Sequence, residues 1–179
     1  SESIDDYCAY GRTLGIEVVK SCGITVDGIR VSSSVIRNAI ERGDLTEANR
    51  CLGYAYTLSA HVSHGFRNGH RLGFPTANLD MDEVCQLLPQ IGVYATRVRI
   101  EGECELYPAM TSVGTRPTFD GTRLSVETYI LDFDADLYGR KIEVAFLKRI
   151  RGEKKFADLQ QLRTQMADDE RCIRELNHL

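Results

Sequence analysis

The chain has 179 residues, of which 42% are hydrophobic and 27% are charged, which suffices for one substantial core with a smaller attached unit. Its 22 Lys and Arg residues against 26 Asp and Glu residues give a formal net charge of −4, which argues against a general binder of nucleic acids or anionic membranes. The longest run without a charged residue covers 16 residues and includes glycine, serine and histidine, so a membrane-spanning helix is excluded.

The N-terminal part of the chain has the pattern of mixed helix and strand. Apolar spacing predicts a helix that ends at Gly15, followed by short strands over 16–19 and 28–31. Two further helices are predicted after these strands, over 33–40 and 45–52, with serine and aspartate as their N-cap residues.

The middle of the chain changes to an apolar period of two, which is typical of strands. The strand candidates cover 56–65, 93–100, 105–113, 124–131 and 142–150. Strands so closely spaced, without intervening helices, indicate a small closed barrel instead of a parallel sheet. After Gly152 the helical period returns, which predicts a helical C-terminus.

The stretch from Gly65 to Asn78 is the most informative part of the sequence. Its glycines, Gly65, Gly69 and Gly73, favour a tight loop whose backbone approaches a ligand closely and whose N–H groups bind an anion. Thr76 and Asn78 then add a hydroxyl and an amide, and a hydroxyl beside phosphates is a suitable Mg²⁺ ligand. The stretch lacks the Gly-Lys-Ser/Thr ending of a Walker A loop, and taken alone it is also typical of an ordinary hairpin loop.

Six short segments extend this pattern over about 120 residues. In chain order they are GHRLGFPTAN from Gly69, GVYA from Gly92, VGTRPTF from Val113, VETYILDF from Val126, DLYG from Asp136 and IRGEKKF from Ile150. In order and spacing they resemble the riboflavin kinase family, in particular the C-terminal kinase half of bacterial bifunctional FAD synthetases. The family commonly has Asn-Ile-Gly where this chain has Ser112-Val-Gly114, and often Arg at the position of His70.

The resemblance implies a mainly β fold, a six-stranded Greek-key barrel with C-terminal helices, preceded by an incomplete α/β nucleotidyltransferase segment. It also implies binding of ATP with Mg²⁺ and transfer of the γ-phosphate to the ribityl 5′-hydroxyl of riboflavin, which gives FMN. Contacts to phosphate and Mg²⁺ fall on Thr76 and Asn78, and flavin contacts on Arg151 and Phe156.

The family's catalytic glutamate falls on Glu127. The residues agree with this assignment, because strand alternation places Val126 and Thr128 on one face and Glu127 on the other. From the residues alone, a carboxylate there is typical of a solvated strand position. The resemblance implies instead that it is a general base that positions the acceptor hydroxyl.

A second resemblance concerns the segment from Val31 to Arg37. Val-Ser-Ser-Ser-Val-Ile-Arg is similar to the Ile-Ser-Ser-Thr-x-Ile-Arg motif of nucleotidyltransferases, including FMN adenylyltransferases. Ser33, Ser34 and Arg37 would bind a triphosphate at a helix N-terminus.

The other half of that motif, a glycine-rich segment with paired histidines, does not occur in this sequence. Residues 1–54 are therefore interpreted as the C-terminal remnant of an adenylyltransferase domain, and residues 55–179 as the kinase domain. We expect no adenylyltransferase activity from this chain by itself, and FAD synthesis only from a full-length parent that contains the rest of that domain.

The sequence argues against two other classes of protein. A catalytically inactive flavin- or nucleotide-binding barrel should lack Glu127, Thr76 or Asn78, and all three are present. An oligonucleotide-binding barrel should carry interleaved basic and aromatic residues on its strands, whereas this chain has no Trp and is net negative. The six cysteines form no CxxC motif, which favours free thiols in a reducing cytoplasm. The negative net charge and the lack of a long apolar run favour partners that are neither nucleic acid nor membrane.

Overall fold

A computed structural model describes residues 3–19, 22–63, 74–118 and 121–177 of the chain. In chain order the elements are α1 (Ile4–Thr13), β1 (Thr25–Val26), β2 (Ile29–Arg30), α2 (Ser33–Glu41), α3 (Leu45–Leu52), β3 (Tyr56–Ser63), β4 (Thr76–Leu79), β5 (Gly92–Ile100), β6 (Leu106–Thr118), β7 (Gly121–Ile130), β8 (Lys141–Arg151) and α4 (Leu159–Asn177). By packing, the chain divides into two compact units, Ser1–Ser32 and Ser33–Leu179.

The first unit consists of a capped helix and a short hairpin. Ser3 and Asp6 form a capping box at the start of α1, in which each side chain accepts a hydrogen bond from the backbone N–H of the other residue. The hairpin joins β1 to β2 through Asp27 and Gly28, whose φ angles are both positive, at 49° and 79°. A two-residue turn of this kind matches the twist of the flanking strands.

The strand predicted over 16–19 is wrong, because the structure describes that segment as irregular. The N–H of Ile16 donates to the carbonyl oxygen of Gly11 at 2.9 Å, so the chain turns back onto the end of α1. A strand needs a paired neighbour for its backbone groups, and among the described residues of this unit the pairing joins β1 to β2. The strand predicted over 28–31 is confirmed as β2.

The second unit is built around a closed antiparallel barrel. Its described strands follow the order β3-β4-β7-β6-β5-β8, and β8 pairs again with β3. The β4–β7 and β5–β8 pairs join strands that are not consecutive in the chain, as in Greek-key folds. The predicted six-stranded barrel is confirmed.

Alternate side chains of the strands fill the barrel interior. Leu58 and Phe146 are fully buried in this core. Thr96, Thr111 and Thr128 are also fully buried. The hydroxyl oxygen of Thr111 lies 2.8 Å from that of Thr96 and 3.0 Å from that of Thr128. These hydroxyls hydrogen-bond to one another, so the polar groups of these three buried side chains are satisfied.

Helices α2 and α3 pack against one part of the barrel. Their buried residues, Ala39, Ile40, Leu45 and Ala48, belong to the same core as the interior strand residues. By packing, α2 and α3 belong to the same unit as the barrel. The boundary between residues 54 and 55, which separates an adenylyltransferase remnant from the kinase domain, stays a prediction.

Helix α4, which forms the predicted C-terminal helical region, packs on the outer face of the barrel. Its Ile173 is fully buried against Val93, Ala95 and Met110. These strand residues alternate with those that point into the interior, so the strands carry apolar side chains on both faces here.

We expect Gly92→Ala to lower the free energy of unfolding by about 1–3 kcal/mol. A Cβ at Gly92 would lie 2.6 Å from the carbonyl oxygen of Arg151 and 2.8 Å from Nε of Arg149, which forces the β5–β8 backbone apart. Urea unfolding measures the effect. Gly114→Ala is the matched control, since the nearest atom to its added Cβ would be Oε1 of Glu153 at 3.7 Å, an ordinary contact. Equal stabilities of the two variants would contradict this steric account.

Candidate active site

Strand β4 carries two of the predicted site residues, Thr76 and Asn78. Their sequence pattern predicts the end of a glycine loop and does not predict this strand. Four residues, Thr76–Leu79, are too few for a period of two to stand out beside a glycine-rich stretch. These two side chains therefore extend from a rigid sheet.

The register of β4 on β7 brings the predicted residues together. Asn78 lies opposite Glu127, and Thr76 lies opposite Tyr129. Residues opposite each other in an antiparallel pair project from the same face of the sheet. Because Thr128 is fully buried in the interior, Thr76, Asn78 and Glu127 stand on the outer face of the barrel.

Arg116 of β6 connects these side chains. Its Nε donates to Oε1 of Glu127 at 3.1 Å, and its Nη2 lies 2.5 Å from the same oxygen. Nη2 also donates to the amide oxygen of Asn78. On the other side, the hydroxyl of Thr76 donates to Oε2 of Glu127 at 3.4 Å, which is a long contact for two oxygens. The site thus combines a carboxylate, a guanidinium, an amide and a hydroxyl.

Arg116 is not among the site residues predicted from the sequence. The corresponding strand was predicted to end at residue 113, whereas β6 continues to Thr118. The signal was present in the VGTRPTF segment from Val113, where an arginine lies three residues beyond a buried valine. Recognising it requires the β6–β7 register, which pairs Ser112 with Glu127 and so brings Arg116 near the carboxylate.

A cavity of about 440 Å³ adjoins Thr76 and Asn78 of this cluster, and Arg116 and Glu127 lie outside its lining. Thr76 and Asn78 line it on one side, and the β7–β8 loop contributes Phe133, Asp136 and Tyr138 on another. Its volume falls within the range of about 300–1,000 Å³ that is common for small-molecule sites.

The β7–β8 loop is held from two directions. Arg174 of α4 donates to both carboxylate oxygens of Asp132, at 2.7 Å and 2.8 Å, and this lowers the pKa of Asp132. Phe133 packs edge-on against Tyr107 of β6, with ring centroids 5.1 Å apart. The hydroxyl of Tyr107 donates to the Glu103 carboxylate, which raises the pKa of Tyr107 to about 12. One wall of the cavity is therefore tied to α4 and to β6.

The two predicted flavin residues, Arg151 and Phe156, lie near each other. The guanidinium carbon of Arg151 is 5.9 Å from the ring centroid of Phe156. The same guanidinium forms an ion pair with Asp169 of α4, with Nη2 and Oδ2 2.8 Å apart. Asp169 is only 3% exposed, so Arg151 has a structural partner that the sequence analysis did not identify.

The remaining predicted site residues lie apart from the cluster or outside the described residues. Ser33, Ser34 and Arg37 are on α2, with Ser33 and Ser34 in its first turn as predicted, and all three are exposed. The predicted phosphate-loop glycines, Gly65, Gly69 and Gly73, lie outside the described residues.

The described residues also limit the kinds of site the chain can form. Across residues 3–19, 22–63, 74–118 and 121–177, no group of three His, Cys, Asp or Glu side chains is placed to hold a metal ion by itself. In that same part of the chain, no helix combines the length and apolarity that crossing a bilayer requires. All six cysteines are free thiols.

Comparison with known proteins identifies the family. The family described as Flavokinase, riboflavin kinase, matches residues 52–177. This chain belongs to the riboflavin kinase family. The match includes the strands that carry Thr76, Asn78, Arg116 and Glu127.

Two curated relatives of this chain are named as bifunctional enzymes. The bifunctional riboflavin kinase/FMN adenylyltransferase of Escherichia coli K12 is 39% identical over 165 residues, which is 92% of this chain and 52% of the relative. The Listeria monocytogenes protein of the same name is 43% identical over 146 residues, 81% of this chain and 46% of the relative. The chain thus spans about half the length of these relatives.

A solved structure shares the fold over almost the whole chain. It is a Streptococcus pneumoniae protein named as a macrolide-efflux protein, 35% identical, with a TM-score of 0.82 over 97% of this chain and 55% of that one. That name describes the other protein, and the family of this chain rests on the match over residues 52–177.

Proposed function

We propose that this chain is a riboflavin kinase that transfers the γ-phosphate of ATP to the ribityl 5′-hydroxyl of riboflavin and so produces FMN. The observation that carries the proposal is the cross-strand placement of Asn78 opposite Glu127, with Thr76 and Arg116 in contact with the same carboxylate. This cluster offers an acceptor hydroxyl and a phosphate a carboxylate base, a guanidinium cation and two neutral polar groups, the hydroxyl and the amide.

Each residue has a distinct part in the proposed reaction. The carboxylate of Glu127 accepts the proton of the 5′-hydroxyl as its oxygen forms a bond to the γ-phosphorus, and the bond from that phosphorus to the β–γ bridging oxygen breaks. Thr76 and Asn78 bind the phosphates at the edge of the cavity, together with the glycine loop that contains Gly65, Gly69 and Gly73. Alignment of the acceptor and neutralisation of phosphate charge are the main contributions that phosphoryl transfer requires of a protein.

The donor atoms at this site fit Mg²⁺ bound together with ATP. Magnesium prefers oxygen ligands, keeps several waters, and usually takes only one or two ligands from the protein beside the phosphates. The hydroxyl of Thr76 is suited to be such a ligand, with the carboxylate of Glu127 next to it. The metal would neutralise charge on the phosphates.

The flavin is assigned to the side of the barrel where β8 ends, with Arg151 and Phe156 as its contacts. The aromatic ring of Phe156 is half-buried and offers a surface for stacking. Arg151 would contribute while it remains paired with Asp169.

Activity beyond the kinase step is assigned to a longer parent protein. There the segment with Ser33, Ser34 and Arg37 would belong to an FMN adenylyltransferase domain that makes FAD from FMN. We place the reaction in the cytoplasm, with small molecules as partners and neither nucleic acid nor membrane. An inactive flavin-binding barrel is less well supported, because binding alone does not require Thr76, Asn78 and Glu127 in one cluster.

We expect the purified chain to form FMN from riboflavin and ATP when Mg²⁺ is present, and not when Mg²⁺ is withheld. Chromatography with fluorescence detection separates the two flavins. FMN at or below the level of a no-enzyme control would overturn the assignment. In the same assay, FMN and ATP should give no FAD, and FAD formation would show that residues 1–54 are more than a remnant.

A further inference from the structure

Arg116 places a positive charge at the centre of the proposed transfer site. Its Nη2 lies 2.5 Å from Oε1 of Glu127 and also donates to the amide oxygen of Asn78. The side chains of Arg116 and Glu127 are only 27% and 34% exposed. A single guanidinium therefore contacts two of the residues to which the nucleotide and the acceptor hydroxyl are assigned.

This contact competes with the role proposed for Glu127. A carboxylate oxygen that receives the acceptor proton needs an available lone pair, and both lone pairs of Oε1 of Glu127 already accept from Nε and Nη2 of Arg116. Its other oxygen, Oε2, accepts from the hydroxyl of Thr76 at 3.4 Å. The carboxylate of Glu127 is thus engaged chiefly through Oε1, by the guanidinium of Arg116.

A phosphate offers the guanidinium a stronger partner than a carboxylate. The terminal phosphate of ATP carries more negative charge, spread over three oxygens, and the planar fork of arginine binds such a group through two parallel hydrogen bonds. A phosphate in contact with Thr76 and Asn78 lies within reach of Arg116, because Arg116 already touches Asn78. The nucleotide would therefore draw the guanidinium toward itself.

We propose that Arg116 is a catalytic residue that exchanges partners during the reaction. When ATP binds, the guanidinium of Arg116 moves from Glu127 and Asn78 to the phosphate being transferred, and Oε1 of Glu127 becomes available to accept the hydroxyl proton. Arg116 keeps its own protons throughout and stabilises the negative charge on the transferring group. The inference rests on the proposed kinase function. In this exchange, Oε1 of Glu127 is released only when the nucleotide is in place.

Calorimetric titration without riboflavin tests the phosphate contact. ATP and ADP are titrated with Mg²⁺ into the wild-type chain and into Arg116→Gln. Loss of a charge-assisted hydrogen-bonding pair should weaken ATP binding by about 10-fold or more, with a smaller loss for ADP, which lacks the terminal phosphate. Unchanged ATP affinity, or equal losses for ATP and ADP, would show that Arg116 does not contact the terminal phosphate.

A double-mutant cycle with Glu127→Gln tests the exchange itself. If Glu127 and the phosphate compete for Arg116, removing the carboxylate charge should tighten ATP binding several-fold in the wild-type background and leave it unchanged in the Arg116→Gln background. An equal gain in both backgrounds would indicate simple repulsion between Glu127 and ATP, and the exchange would be wrong.

Arg123→Gln is the matched control for general electrostatics. Arg123 lies directly opposite Arg116 on β7, is 54% exposed and pairs with Asp82. Its loss should change ATP affinity by less than about two-fold, because an exposed charge is screened by solvent. A loss equal to that of Arg116→Gln would mean that any positive charge on this face suffices.

Two further measurements separate the remaining explanations. Arg116→Lys keeps the charge without the fork and should give an intermediate ATP affinity, and it takes the place of Arg116→Gln if that variant does not fold. If Arg116 only orients Glu127, turnover falls in its variants while ATP affinity stays normal, which overturns the inference. A wild-type chain that makes no FMN would overturn the proposed function itself, a separate outcome.

Discussion

Glu127→Gln should lower the turnover number for FMN formation by a factor on the order of 10² or more. Glutamine keeps the size of the side chain and its place opposite Asn78, but it cannot accept the proton of the acceptor hydroxyl. Single-turnover measurement of FMN at saturating ATP isolates the chemical step. Near-normal turnover in this variant would show that Glu127 is not the base.

Glu143→Gln is the matched control for this substitution. Glu143 is also a strand glutamate next to an arginine, with its Oε2 4.0 Å from Nη1 of Arg99, but it lies on β8 and is 52% exposed. We expect its turnover to stay within about two-fold of the wild-type value, since exposed ion pairs contribute little. A comparable loss in both variants would point to a general effect of lost negative charge.

Asp169→Asn should lower the free energy of unfolding by about 3 kcal/mol. The variant leaves the guanidinium of Arg151, which is 21% exposed, without the carboxylate that contacts it at 2.8 Å. Because this ion pair joins α4 to the end of β8, its loss should also loosen the helix from the barrel. Urea unfolding followed by circular dichroism measures the change.

The adjacent residue of α4 provides the control for that experiment. Asp168 pairs with Arg171 at 3.0 Å, and the two side chains are 52% and 71% exposed. Asp168→Asn should therefore change the free energy of unfolding by less than about 0.5 kcal/mol. If Asp169→Asn is as stable as this control but binds riboflavin more weakly, the main role of Arg151 lies in the flavin site and not in holding α4.

The sequence correctly predicted features that depend on local periodicity. The alternation of β7 places Val126 and Thr128 inside the barrel and Glu127 outside, which follows from strand geometry whatever the neighbouring strands are. The same reasoning fails for 16–19, where an apolar run finds no described partner strand. Apolar residues favour a strand, but a strand forms only where its backbone groups hydrogen-bond to a neighbouring strand.

Features that depend on partners distant in the chain were not predictable in this way. β4 contains only the residues Thr76–Leu79, and it is a strand because β3 and β7 pair with its two edges. The contact between Arg116 and Asn78 joins residues 38 positions apart, and that between Arg151 and Asp169 joins residues 18 apart. The periodicity of apolar residues within one segment does not predict contacts between residues so far apart in the sequence.

By itself, the sequence determined that this chain forms a closed barrel, that it resembles riboflavin kinases, and that Thr76, Asn78 and Glu127 are its candidate site residues. Only the tertiary structure decided that these three lie on one outer face, that Arg116 connects them, and that α2 and α3 pack with the barrel. The physical reason is that side-chain alternation is set within each strand, whereas the register between strands is set when the barrel closes.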